Sequence, residues 1–151
     1  MLLYSNTKVL IIEDEEMFRT ILVRYCQMWD YSVVGSCDNG RDGLIQTVRL
    51  QPELVLIDID MPEYDGLDVI AAIQLKAPPT KTMIITNTSN GMNLPKALKL
   101  NVSSIIDKRT DSFDNIGKVI PDVLAGKKYF SPTVRDAVRR LYPESVSVGT
   151  L

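Results

Sequence analysis

Two apolar runs in this 151-residue chain end in carboxylates. Val9 to Ile12 runs into Glu13-Asp14, and Leu54 to Ile57 runs into Asp58, with Asp60, Glu63 and Asp65 close behind. A third run ends in a hydroxyl, Thr86, and a fourth is followed after Asp107 by an ammonium, Lys108. Three carboxylates gathered at one place raise each other's pKa unless a cation sits among them. Mg²⁺ suits such a set, being a hard cation that takes oxygen ligands, keeps several waters and pairs with phosphate oxygens. One carboxylate could then attack phosphorus, while Lys108 and the metal hold the charge that spreads over the equatorial oxygens. The chain has no histidine, so imidazole acid/base catalysis, imidazole metal sites and phosphohistidine within the chain are excluded.

The elements that must position these groups are legible as alternating runs. Val9 to Ile12, Ser32 to Gly35, Leu54 to Ile57, Met83 to Ile85 and Ser104 to Ile106 are too short for helices and read as buried strands. Between them lie segments of helical period. Glu16 to Trp29 carries Met17, Ile21, Tyr25 and Met28 on one side with Phe18, Leu22 and Trp29 beside it, a wide apolar arc. Asn39 is placed to cap the next helix, whose expected buried face is Leu44, Ile45 and Val48, before Pro52 stops it. Leu67 to Leu75, a short Leu94 to Leu100, and Asp114 to Leu124 complete the series. Five such alternations call for an α/β fold, a doubly wound five-stranded parallel sheet with helices on both faces. The functional crevice of such a sheet lies beyond the carboxyl ends of its strands, where the acids, Thr86 and Lys108 converge.

Composition narrows the class. The content of 45% hydrophobic and 24% charged residues is that of an ordinary folded domain. A formal charge of -2, without long basic runs, argues against direct nucleic-acid binding by this chain. Lys8 and Glu13 bracket an apolar run of only four residues, so neither a signal peptide nor a membrane span is expected. Cys26 and Cys37 lack C-x-x-C spacing and read as small packing residues in a reduced, cytoplasmic protein. Tyr25 and Trp29 read as core and helix-end packing.

VLIIEDE with Arg19 beyond it, LVLIDIDMPEYDG, the strand end IIT at Thr86, and IIDK ending at Lys108 resemble, in order and spacing, the response-regulator receiver domain of bacterial two-component signalling. The resemblance implies a flavodoxin-like strand order, 2-1-3-4-5. It implies that Asp58 accepts a phosphoryl group from a phosphohistidine of a sensor histidine kinase. Mg²⁺ would be held by Asp14, Asp58 and the backbone carbonyl of Asp60, with Glu13 acting mainly through bound water. Thr86 would turn inward to the phosphoryl group and Lys108 would pair with it. Asp65 and Gly66 would form the turn into the third helix, Pro62 would stiffen the loop, and Glu63 would remain solvated. Self-phosphorylation and self-dephosphorylation would be the only chemistry; two residues after the phosphoacceptor, the Asp60 carboxylate could orient a hydrolytic water or repel a nucleophile, and so tune the lifetime of the phosphorylated state. Around Phe18 and Leu22 two readings stand, a kinase-docking surface or a wide buried arc. A homodimer is left open.

D-I-D-M at Asp58 to Met61 also resembles the nucleophile motif of haloacid-dehalogenase-type phosphatases. In those enzymes the nucleophile strand comes first and the acidic pair last, whereas Glu13-Asp14 here precede Asp58 by more than forty residues. The receiver pattern is not followed throughout. Ile105 stands where receivers usually carry an aromatic residue, Asn87 where a small one follows the Thr, and Arg109 where Pro follows the Lys. Gly91, Asn93 and Pro95 shorten the fourth helix. Beyond a receiver spanning 1–128, Ser131-Pro132 followed by Val134, Ala137, Val138 and Leu141 resembles the linker helix of LuxR-type, including nitrate/nitrite-type, transcriptional regulators. This second unit, 129–151, would be that helix and a flexible tail from Ser145. Output would be transcription control through a DNA-binding domain outside this chain, or protein contacts made by a stand-alone receiver.

Overall fold

All four residues of Leu54–Ile57 are buried, as only a strand covered on both faces allows. A computed structural model describes residues 4–87 and 92–143. In chain order its elements are β1 (Lys8–Ile12), α1 (Glu16–Met28), β2 (Ser32–Cys37), α2 (Gly40–Leu50), β3 (Leu54–Ile57), α3 (Gly66–Lys76), β4 (Lys81–Thr86), α4 (Leu94–Lys99), β5 (Ser104–Asp107), α5 (Phe113–Leu124), β6 (Tyr129–Phe130) and α6 (Pro132–Leu141). The sheet is parallel throughout, in the order β2-β1-β3-β4-β5-β6. The expected five-strand order is present, and β6 extends it. Tyr129 and Phe130 pair with Ser104 and Ile105, a contact too short to leave a periodic signal in the sequence.

The two faces bury separate cores. Leu10, Ile12, Val55, Ile57, Ile84 and Ile105 pack beneath α3, α4 and α6, with Leu44 and Leu50 of α2 beside them. Val9, Ile11, Leu56, Met83, Ile85 and Ile106 pack beneath α1 and α5. Val134, Val138 and Phe130 belong to the first of these cores, so α6 lies directly on the sheet. Among the described residues no helix is long and apolar enough to cross a membrane.

Helix faces depart from the sequence reading in two places. In α1 the buried residues are Leu22 and Cys26, while Met17 and Met28 are 72% and 70% exposed, so the apolar arc is narrower than its composition implies. In α2 the fully buried residues are Gly40, Gly43 and Thr47, Leu44 and Leu50 pack against the core, and Ile45 and Val48 face out. Gly43 explains the choice: a Cβ there would lie 2.4 Å from Cδ1 of Ile12. The helix thus closes on β1 with small residues, where a stripe of large ones would hold it away.

Local signals fare better. Asn39 Oδ1 accepts the Asp42 N–H at 2.8 Å, capping α2. Asn93 accepts the Lys96 N–H at 3.2 Å and Pro95 sits in the first turn of the short α4. Ser131 occupies the cap position of α6 but its hydroxyl makes no cap bond. Tyr25 stacks on Phe113 at 4.7 Å, and Trp29 covers Gly117, where a Cβ would meet the indole at 2.6 Å. Cys26 and Cys37 are free and buried, and burial pushes the Cys26 thiol up to about 12. Gly91 and the expected flexible stretch from Ser145 lie outside the described residues.

Candidate functional site

Strand pairing continues one residue past β1 and β3 and thereby sets the first two acids. The Glu13 N–H donates to the Cys37 carbonyl at 2.9 Å and the Asp58 N–H to the Ile12 carbonyl at 3.0 Å. Arg19, one turn into α1, donates to the Glu13 carbonyl at 2.8 Å and fixes the loop between them. Glu13, Asp14 and Asp58 present carboxylate oxygens within 4.8 Å of one another. Asp58 is 5% and Glu13 2% exposed.

The other two strand ends reach the same carboxylate. Thr86 Oγ1 donates to Asp58 Oδ1 at 2.7 Å, and the Asp60 N–H reaches the same oxygen at 3.0 Å. Lys108 Nζ lies 3.2 Å from Asp58 Oδ2 and 2.5 Å from Glu13 Oε1. The four strand ends named by the sequence therefore meet in one place. An open cleft of about 420 Å³ lies over them, walled by Asp14, Phe18, Asp58, Asp60, Asn87 and Lys108.

Burial pushes Glu13 well above the usual carboxylate range, to about 8, with Asp58 adding to the rise and Lys108 opposing it. Burial works against the Lys108 charge, but its bond to Glu13 and the Asp58 carboxylate outweigh that, and its pKa is raised. An all-oxygen set of three acids, one of them held back from ionising by burial, fits a hard divalent cation.

The remaining acids of LVLIDIDMPEYDG separate by role. Asp65 Oδ1 accepts the Leu67 N–H at 2.9 Å and caps α3. Glu63 is exposed, with φ of 73° in the left-handed region. Gly66 is required by contact, since a Cβ there would lie 2.3 Å from the Ile59 Cα. Phe18 is a functional neighbour that pattern reading left between two alternatives: its ring packs on Phe113 at 5.2 Å and underlies Lys108 Nζ at 4.5 Å. Leu22 is buried and belongs to the core. An aromatic four residues after the acidic pair was the available signal for Phe18, but only the fold brings Lys108 over it.

A doubly wound parallel sheet with acids, a threonine and a lysine at four strand ends defines a class, and comparison with known proteins assigns it. The chain belongs to the response regulator receiver domain family, whose profile matches residues 9–119. It is 31% identical over 135 residues to the virulence transcription regulator BvgA of Bordetella pertussis, covering 87% of this chain and 63% of that protein. Among solved structures it is similar to a LuxR-family DNA-binding response regulator from Staphylococcus aureus, at 28% identity and a TM-score of 0.73, covering 78% of this chain and 98% of that one. It is also similar to the receiver domain of NarL from Mycobacterium tuberculosis, at 26% identity and a TM-score of 0.74, covering 82% and 99%. The chain spans about three-fifths of the length of the curated relatives it matches.

Proposed function

We propose that this chain is a phosphorylation-driven signalling switch in which Asp58 takes a phosphoryl group from the phosphohistidine of a sensor histidine kinase. One observation carries the reading: Asp58, at the end of β3, is touched at once by Thr86 from β4 and Lys108 from β5, with Glu13 and Asp14 of the β1 end beside it. Asp14, Asp58 and the Asp60 backbone carbonyl would hold Mg²⁺, with Glu13 acting mainly through bound water. The metal would neutralise charge on the phosphoryl oxygens and hold the group in line.

The chain's own residues account for the rest. Ionised Asp58 attacks phosphorus as the bond to the donor nitrogen breaks. Lys108, held charged by its contacts with Glu13 and Asp58, turns part of its hydrogen bonding to a phosphoryl oxygen, and the Thr86 hydroxyl does the same. The Asp60 N–H steadies Asp58 Oδ1. No separate substrate is turned over, and the reversed order of acids and nucleophile argues against a phosphatase of the haloacid-dehalogenase type.

The named relatives favour transcription control as output, through a DNA-binding domain outside this chain, over a stand-alone receiver acting by protein contacts. In this reading residues 1–128 are the receiver and 129–151 the linker, in a cytoplasmic protein that does not itself bind nucleic acid. Incubation with acetyl phosphate and Mg²⁺, followed by intact mass, tests the chemistry. Wild type gains one phosphoryl group and Asp58→Ala gains none; an adduct retained in Asp58→Ala overturns the assignment.

A further inference from the structure

The residue before Lys108 is an acid with no place in the chemistry above. Asp107 ends β5 and is completely buried. A buried carboxylate is costly unless donors reach it, and its donors come from two directions. The Arg109 N–H donates to Asp107 Oδ1 at 3.0 Å, with Arg109 Nε 3.7 Å away. Thr133, in the first turn of α6, donates its hydroxyl to Asp107 Oδ2 at 2.8 Å. The Asp107 N–H in turn donates to Ser131 Oγ at 2.8 Å. Ser131 stands at the α6 cap position, yet its hydroxyl donates to Asp111, whose carboxylate also takes Asn115 Nδ2 at 2.5 Å and the Tyr129 hydroxyl at 3.3 Å. The start of α6 thus gives up its own cap to bind the segment that carries Lys108.

We propose that Asp107 is a positioning residue through which α6 sets the placement of Lys108 at the phosphorylation site. Lys108 is clasped from both sides. The N–H of the residue before it is held to Ser131 Oγ, and the peptide after it is held, through the Arg109 N–H, to the Asp107 side chain. The Lys108 N–H donates to the Thr86 carbonyl at 2.9 Å. A shift of the Lys108 ammonium from Glu13 toward a phosphoryl group on Asp58 therefore pulls on the peptides around Asp107, and through the Thr133 hydroxyl on the first turn of α6. Coupling of this kind is reciprocal: what loosens α6 changes affinity at Asp58, and what binds at Asp58 changes the hold on α6. That coupling rests on Asp58 being the phosphoacceptor; the placement of Lys108 by α6 in the unmodified chain does not.

The test compares Thr133→Val, which removes the hydroxyl while keeping the branched shape, with Thr133→Ser, which restores a donor. In the unmodified full chain, the Lys108 ammonium signal in ¹⁵N NMR should be retained in wild type and Thr133→Ser and be broadened by exchange in Thr133→Val. With Mg²⁺ and beryllofluoride, Thr133→Val should bind about three- to tenfold more weakly, the worth of one hydrogen bond. Amide exchange across 134–141 should respond to beryllofluoride in wild type and Thr133→Ser but not in Thr133→Val. Far-UV circular dichroism checks that α6 remains helical in both variants. A Lys108 signal and a beryllofluoride affinity that are the same in Val and Ser variants overturn the proposal. Failure of wild type to bind beryllofluoride at Asp58 overturns the phosphoacceptor reading instead, and the Lys108 signal in the unmodified protein still decides whether α6 positions that lysine.

Discussion

Glu13 and Asp58 end two neighbouring strands and inherit their positions from the sheet's own ladder, whereas Lys108 and its surroundings depend on groups that arrive twenty or more residues later. On the β1 and β3 side, the fixing bonds are the Glu13 and Asp58 N–H groups to adjacent strands and Arg19 back to Glu13. On the β5 side a ladder bond of the same kind, from the Lys108 N–H to the Thr86 carbonyl, is joined by Ser131, Thr133 and the pairing of Ile105 with Phe130. A ladder bond is made wherever the strand forms, so the acid end tolerates little variation in geometry. Side-chain bonds from a distant segment can be remade or released, which suits the half of the site that must report. The departures from the receiver pattern at Asn87, Ile105 and Arg109 all fall on this second side.

The largest expected effect tests the rigidity of the first side. Gly66→Ala forces a methyl against the Ile59 backbone and should cost about 3 kcal/mol in urea unfolding; a loss below the error of the measurement would show that the β3–α3 loop yields, and the contrast would fail. On the second side, Ile105→Tyr restores the family's aromatic at a fully buried position and should cost about 2 kcal/mol by overpacking against Phe130 and α6. A variant as stable as wild type would mean that α6 moves aside for the ring.

The next effect is a pH dependence. Glu13, with its pKa raised to about 8, binds a proton in the folded state that the unfolded chain has already lost, so metal-free stability falls as pH rises from the ordinary carboxylate range through 8. If Mg²⁺ requires that carboxylate ionised, its affinity should rise about tenfold per pH unit up to about 8 and then level. Calorimetry across pH 6 to 9 checks this, and Glu13→Gln should flatten the profile. The smallest effect concerns Asp60. Removing its charge with Asp60→Asn should speed autodephosphorylation about fivefold, the worth of one unit charge near the incoming water. An unchanged rate, followed by loss of the phosphorylated mass, would remove Asp60 from the control of lifetime.

Sequence legibility follows the same divide. Asp58, Thr86 and Lys108 could be placed together because each ends an apolar run, and a parallel sheet brings all such ends to one edge. The cap at Asn39 was legible for a similar reason, since a cap is a bond within a few residues. The buried faces of α1 and α2 were legible only in part, through Leu22 and Leu44. Met17, Ile45 and Val48 are apolar but exposed, because how closely a helix approaches is decided by the small residues beneath it. Ser131 stands at its helix start, but the group that its hydroxyl binds was not legible, because the Asp107 N–H lies 24 residues away.

By itself the chain order of apolar runs and their terminal groups determined the strand sequence, the edge that carries the chemistry and the residues on it. Those are consequences of period and adjacency, which are written along one dimension. Only the tertiary structure decided that Phe18 lies under Lys108, that Glu13 is buried enough to resist ionisation, that Tyr129 and Phe130 add a strand, and that α6 reaches the site through Asp107. Each depends on burial or on a bond between distant segments, and neither has a spacing that a sequence could display.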